Sequence, residues 1–222
     1  MVKKVLVIVA HPDDEILGVG GAIKKHSKIG DEIYCLILGQ GITSRGKSDK
    51  ESINNLRQDS FRAGKIVGFK EIFFEEFPDQ RFDSVDFLEV VKKIEEYIKK
   101  IGPSILYTHY YNDLNLDHQI TSKAVITACR PCNKDCPKEI LCFETLSSTE
   151  WQLIGKRFKP NIYVDIENEI EAKTLALTEY SSEIREYPHP RSVEGIQILA
   201  QYRGMECGKR YAEAFKLMRK VE

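Results

Sequence analysis

The sequence predicts an α/β fold: a doubly wound, mainly parallel sheet flanked by helices, in a single domain spanning residues 1–222. Three observations carry this. Short β-branched apolar runs alternate along the chain with longer amphipathic stretches, the pattern of βαβ units. Crossovers between parallel strands are right-handed, so successive units wind about one sheet. The chain also shows no internal repeat, low-complexity segment or linker. Its 222 residues, 42% hydrophobic and 30% charged, have ordinary globular composition and sufficient length for an unstapled core.

Residues 5–10 are continuously apolar and β-branched, as expected of a strand buried on both faces. Residues 15–29 read as a helix closed by Gly30, 32–38 as a second strand, and 50–67 as a second helix ending at Gly68. A short strand at 71–74 precedes a helix at 85–101, where Leu88, Val91, Ile94, Ile98 and Ile101 recur at spacings of three and four. Pro103 stops that helix. A fourth strand is expected at 105–108, a helix at 117–128, and strands at 140–143 and 162–166. Helices are expected at 169–180, 193–203 and 210–220.

Net charge is −1, so no global field points to nucleic acid or an anionic membrane. No apolar stretch is long enough to span a bilayer. The start, MVKK, runs directly into a strand without a small-residue cleavage site, so no signal peptide is expected. Six scattered cysteines fit reduced thiols and a cytoplasmic protein.

Two polar bursts stand out. AHPDDE (10–15) leaves the first strand at its carboxyl end, and THYYNDLNLDH (108–118) leaves the fourth likewise. In open α/β sheets, ligands bind beyond the carboxyl ends of strands, where strand order reverses. The two loops converge if these strands are neighbours. Together they offer His11, Asp13, Asp14, His109, Asp113, Asp117 and His118. Three nitrogen or oxygen ligands with an open position make a catalytic zinc-type site, and such donors also suit iron(II) or cobalt. Each run alone could equally cap a helix. The joint occurrence favours a metal site. His26, mid-helix among lysines, is expected at the surface.

AHPDDEILGVGG, the later DLNLDH, and YPHPRS (187–192) with the RG, G and AEAF that follow resemble the LmbE/PIG-L family of metal-dependent N-deacetylases. The resemblance covers residues 5 to about 217. It implies a Rossmann-like domain, N-acetylated sugar substrates, and one zinc ion held by His11, Asp14 and His118. It implies Asp13 as general base. Many relatives carry a second histidine where this chain has Asn115, thought to steady the oxyanion. Asn115 donates a hydrogen bond but no positive charge, so His189 is the candidate replacement, with His109 second. Family members form oligomers, so a homo-oligomer is expected.

Loops at the same sheet edge are expected to shape the pocket: 39–47 with Ser44 and Arg45, and 77–83 with Asp79 and Arg81. His109 and Arg191 join these as substrate-binding candidates. GVGG (18–21) lacks dinucleotide spacing and fits close helix-on-sheet packing. Cys129, Cys132 and Cys136 have zinc-like spacing without an evident fourth ligand. Trp151, the single tryptophan, either lines the pocket or belongs to the core. The expected function is removal of acetyl from an N-acetylated sugar or sugar conjugate. Hydrolysis of a non-sugar amide or ester, and non-catalytic sugar or metal binding, are the alternatives.

Overall fold

The computed structural model describes residues 2–42 and 50–222. Arg45 and Ser44, expected at the pocket, lie outside the described residues. The strands are β1 (Lys4–Val9), β2 (Glu32–Gly39), β3 (Glu71–Phe77), β4 (Ile105–His109), β5 (Glu139–Phe143), β6 (Ile162–Asp165) and β7 (Ala212–Lys220). The helices are α1 (Asp14–Lys28), α2 (Lys50–Val67), α3 (Phe87–Ile101), α4 (Leu116–Ala128), α5 (Ile170–Thr178) and α6 (Val193–Cys207).

One seven-stranded sheet runs in the order β3-β2-β1-β4-β5-β7-β6. Strand order reverses between β1 and β4, which pair in parallel with Val5 opposite Ile105 and Ile8 opposite Thr108. That reversal creates the crevice the two polar loops need. β1 splits the core by its alternation. Val5, Val7 and Val9 face a cluster with residues of α1, α2, α5 and α6. Leu6, Ile8 and Ala10 face the other, with Val90, Ile94 and Ile98 of α3 and Val125 of α4. A strand buried on both faces reads as a continuous apolar run, which is why KVLVIV shows no period of two.

The glycines of α1 fit close packing. A Cβ on Gly18 would stand 2.1 Å from the Phe143 ring, and one on Gly21 would stand 2.9 Å from Ile166.

One expected element is wrong. Residues 210–220 are not a helix. β7 inserts antiparallel between β5 and β6, with Phe215 opposite both Phe143 and Ile162. The AEAFKLMRK sequence consists of helix formers, but burial overrides propensity. Phe215 is fully buried, and its ring lies 5.1 Å from Tyr107. Glu213 is buried too, and its carboxylate accepts from Gly21 N–H (2.8 Å) and Ala22 N–H (2.7 Å) of α1. The Lys173 ammonium of α5 binds Glu213 at 2.6 Å and donates to Leu17 O at 2.8 Å. This buried pair is fully partnered, which a buried charge requires.

The cysteines at 129–136 form none of the candidate metal groups among the described residues. Cys136 Sγ instead donates to Cys129 O, which also accepts from Arg219. His26 is half-buried rather than exposed, held by Asp31 (2.7 Å) and the Tyr107 hydroxyl (3.2 Å).

Candidate metal centre and active site

The first polar loop follows from β1. Asp13 adopts φ 97°, ψ −28°, a left-handed conformation uncommon outside glycine. Its carbonyl nonetheless starts α1, accepting from Ile16 N–H and Leu17 N–H. Strain of this kind persists where surroundings over-determine it, most often at functional sites. Here Glu15 accepts from Asp13 N–H (3.1 Å), and Asp14 Oδ2 accepts from His11 N–H (2.9 Å). The second loop is fixed by α4. Asn115 is its N-cap, with Oδ1 accepting from Asp117 N–H at 2.9 Å.

His11, Asp14 and His118 come together as a group able to hold a metal, and all three are buried. Asp14 Oδ2 lies 3.4 Å from His11 Nδ1 and 3.3 Å from His118 Nε2. A second group, His11 with Asp79 and Asp117, shares His11 on its other side. His11 Nε2 stands 3.0 Å from Asp117 Oδ2 and 3.3 Å from Asp79 Oδ1. His118 Nδ1 lies 3.2 Å from Asp113 Oδ1. A carboxylate on the far nitrogen is the arrangement that orients a ligating histidine.

Both supporting carboxylates are themselves held. Asp117 Oδ1 accepts from Phe82 N–H at 3.0 Å. Asp113 accepts from Asn115 N–H (2.8 Å) and from the hydroxyls of Ser148 and Thr149.

The donor set fits an ion. Asp14 Oδ1 and both ring nitrogens of His118 are buried with no well-formed hydrogen bond. Buried polar atoms are rarely left so, and an ion is one of the few partners that satisfies them together. The charges agree. Burial pushes the Asp14 carboxyl up, but the His118 charge and bonds from His11 and His118 hold it well below the usual carboxylate range. Burial pulls the His11 imidazole down, yet bonds to Asp117 and Asp14 raise it to about 10. Burial likewise opposes the His118 proton, but Asp14 and Asp113 raise it to about 9. The cluster holds positive charge strongly.

Asp13 is built differently. Its Oδ2 accepts from Arg191 Nη1 at 2.9 Å, while Oδ1 is buried without a partner. Burial pushes its carboxyl up, and the Arg191 charge only partly offsets this, leaving it at about 7. Arg191 also donates to Glu183 (3.2 Å) and, through Nε, to Ser147 Oγ (2.7 Å). A cavity of about 50 Å³ opens here, lined by His11, Asp13, Asp79, Glu183 and Arg191 among others.

The remaining expected residues divide. Asp79 and Arg191 line the cavity, and Arg191 is committed to Asp13. Arg81 is exposed and lines neither this cavity nor its neighbour. His109 does not reach the cavity. It is fully buried, stacks on His118 at 3.9 Å, and accepts from Ala10 N–H through Nε2 at 3.0 Å. Its other nitrogen meets Thr145 Oγ1 at 3.2 Å, and burial pulls its pKa down to about 3. His109 is thus a neutral buckle between the ends of β1 and β4. His189 lies in an adjoining cavity of about 160 Å³ with Trp151, Arg185, Ser147, Glu183 and Arg191. Sequence reading missed Glu183 and Tyr180, whose hydroxyl donates to Glu15. No motif marks either one. Glu183 lies in a polar stretch, and Tyr180 reads as an ordinary helix residue.

Sheet order, crevice and donor set define the class: a Rossmann-like scaffold with a candidate metal site at its switch point. Comparison with known proteins narrows it. Residues 6–129 match the PIG-L family, described as GlcNAc-PI de-N-acetylase, and the chain belongs to that family. It is an enzyme of the deacetylase class, hydrolases of carbon–nitrogen bonds other than peptide bonds. It is 29% identical to diacetylchitobiose deacetylase of Thermococcus kodakarensis, across 98% of this chain and 84% of that protein. It is 28% identical to a probable N-acetyl-alpha-D-glucosaminyl L-malate deacetylase 2 of Bacillus cereus, across 82% and 84%. The fold is shared with the N,N'-diacetylchitobiose deacetylase of Pyrococcus horikoshii (TM-score 0.76, 24% identity, 97% of this chain and 84% of that one).

Proposed function

We propose that this protein is a zinc-dependent deacetylase that removes acetyl from an N-acetylated amino sugar or its conjugate, with Asp13 as general base. The observation that carries this is the split environment of Asp13. One oxygen is pinned by Arg191, and the other is buried and unpartnered beside the His11–Asp14–His118 group. A carboxylate aligned by one oxygen and free at the other suits proton transfer. The substrate class rests on the relatives, which are named for N-acetylglucosamine-type substrates.

His11, Asp14 and His118 would hold the ion, which would polarise the acetyl carbonyl and acidify water near neutral pH. Asp13 Oδ1 takes a proton from the attacking water and passes it to the leaving amine. Arg191 keeps Asp13 oriented and favours its anionic form before each turnover. Asp117 and Asp113 fix the rings of His11 and His118. Asn115 acts on the site by capping α4, on which His118 stands. His189, across Arg191 from Asp13, contributes to substrate binding in this scheme rather than to the oxyanion. Asp79 completes the wall beside His11.

Acetate release from N-acetylglucosamine and its conjugates tests the reading. Zinc-loaded protein releases acetate, whereas the chelator-stripped protein and Asp13→Asn do not. Stoichiometric zinc with no release from any N-acetyl sugar would overturn it in favour of another amide or an ester.

A further inference from the structure

The C-x-x-C-x-x-x-C run at 129–136 has no part in the chemistry above, yet its sulfurs are not scattered. Two tight turns fold the segment back on itself. Asn133 N–H donates to Arg130 O at 2.9 Å, and Cys136 N–H donates to Asn133 O at 3.1 Å. Cys136 thereby returns to Cys129, the C-cap of α4. Its thiol donates to Cys129 O at 2.9 Å. The two side chains also meet, thiol hydrogen-bonded to thiol. Arg219 of β7 spans the pair: Nη1 donates to Cys129 O at 2.8 Å, and Nη2 donates to Cys136 Sγ.

The two sulfurs are placed for different work. Cys129 is fully buried, and burial pushes its thiol up, with the Cys136 thiol adding to the rise and Arg219 opposing it. It keeps its proton and is shielded from solvent. Cys136 is half-buried and has a guanidinium on its sulfur. A partly exposed sulfur beside a cation is the setting in which cysteines react with oxidants. Cys136 gives its thiol hydrogen to Cys129 O, but that carbonyl also accepts from Arg219 Nη1 and stays partnered when the hydrogen leaves. The other cysteines lack this arrangement. Cys35 and Cys142 are buried on β2 and β5, and the Cys207 thiol donates within its own helix to Arg203 O and Gly204 O. Cys132 is exposed, on the turn between the pair. In a reducing compartment, a cysteine pair that does bridge serves catalysis or redox sensing more often than permanent stapling.

We propose that Cys136 and Cys129 form a peroxide-sensitive site: Cys136 is oxidised first, and Cys129 then closes a reversible disulfide that clamps the end of α4 to the segment leading into β5. The Cys136 sulfur attacks one oxygen of hydrogen peroxide. The O–O bond breaks and an S–O bond forms, so the sulfur is oxidised to a sulfenic acid and the peroxide is reduced, its departing hydroxide leaving as water with the thiol proton. The Cys129 sulfur next attacks the Cys136 sulfur. The S–O bond breaks, the S–S bond forms, and the hydroxide leaves as water with the Cys129 proton. A thiol reductant restores both cysteines by exchange. The site lies at the opposite end of α4 from His118, and the inference does not depend on the deacetylase reading.

Zinc-loaded protein is treated with graded hydrogen peroxide, alkylated, digested without reduction and mapped by mass spectrometry. A bridge between Cys129 and Cys136, lighter by two hydrogens and reversed by dithiothreitol, is expected before Cys35, Cys142 or Cys207 is modified. Cys132→Ser keeps the bridge and Cys136→Ser abolishes it. Arg219→Gln slows its formation about tenfold, and Arg219→Lys restores most of the rate. Oxidised wild type is expected to melt about 5 °C above the reduced protein, a shift absent from Cys136→Ser. Zinc content is the same in wild type and Cys136→Ser. A bridge that runs to Cys132, a rate indifferent to Arg219→Gln, or oxidation of Cys136 to sulfinic acid with no bridge would overturn the pair. A bridge that leaves the melting temperature unmoved would overturn the clamp, and zinc lost from Cys136→Ser would reassign the sulfurs to a metal.

Discussion

At the scale of single residues, the site depends on carboxylates that share a sequence motif but not an environment. Asp14 sits among imidazoles and stays anionic, whereas its neighbour Asp13 is pushed up to about 7 by burial. Replacing Asp13 with Asn is expected to lower kcat by about 10²–10⁴-fold with zinc content unchanged, checked by acetate release and metal analysis. Arg191 lowers the Asp13 pKa, so Arg191→Gln removes the largest charge opposing burial. The acid limb of kcat/KM then moves to higher pH, and an unmoved limb would disconnect Arg191 from the base. Asp113→Ala is expected to weaken zinc binding by about 10–100-fold, because the far side of His118 loses its partner. The motif residues were legible in the sequence because their types are unusual after an apolar strand. Glu183 and the hydroxyls of Ser148 and Thr149 were not, because nothing local distinguishes a buried partner from a surface one. His109 was legible as a histidine near the site, but its burial beneath His118 is a fact of packing.

At the scale of elements, periodicity identified what packs on one side and failed where both sides are covered. α3 shows this: Val91, Ile94, Ile98 and Ile101 of the expected stripe are buried together with Val90, whereas Leu88, expected in the stripe, is exposed in the first turn. The cap of α4 was not legible: Asn115 reads in the sequence as a hydrogen-bond donor at the site, and the structure makes it the N-cap. Asn115→Ala is expected to cost about 1 kcal/mol of stability by loss of the cap, measured by urea denaturation. β7 was misread because its helix-forming residues carry no alternation: Ala212, Glu213, Ala214 and Phe215 are all buried. Only pairing with β5 and β6 makes the segment a strand. Its Glu213 joins β7 to α1 and α5 through Gly21, Ala22 and Lys173. Glu213→Ala is expected to destabilise the fold by about 3–5 kcal/mol, since it leaves the Lys173 ammonium buried alone. A loss under 1 kcal/mol in the same denaturation series would show that Lys173 finds water instead.

For the whole molecule, the metal centre joins stability to pH. His11 and His118 have pKa values raised to about 10 and 9 in the ion-free chain. A raised basic group stabilises the fold fully below its unfolded value of about 6.5, and that contribution is lost as pH rises through the folded one. The buried Asp13 and Glu15, raised to about 7 and 8, act in the same direction. Chelator-treated protein should therefore lose thermal stability as pH rises from about 4, where the unfolded carboxyls ionise, to about 10, where folded His11 loses its proton. An ion held by His11, Asp14 and His118 would replace these protons, so added zinc is expected to release them and to raise Tm by mass action. Calorimetry in buffers of different ionisation enthalpy checks the release, and a Tm indifferent to zinc would count against the ligand set. The doubly wound sheet was readable at this scale because βαβ alternation leaves few topologies.

The late arrival of β7 has a consequence for how the protein is made. β6 pairs with β7 and with no other described strand, and β5 borders β7 on one side. A ribosome delivers residues 139–143 and 162–165 well before 212–220. Until β7 emerges, the nascent chain carries β6 unpaired and β5 with one open edge, both ready to pair with a neighbouring polypeptide. β7 is the last of the seven strands to emerge and both closes the edge of β5 and gives β6 its partner, so chaperone demand should concentrate in the interval between synthesis of β6 and synthesis of β7.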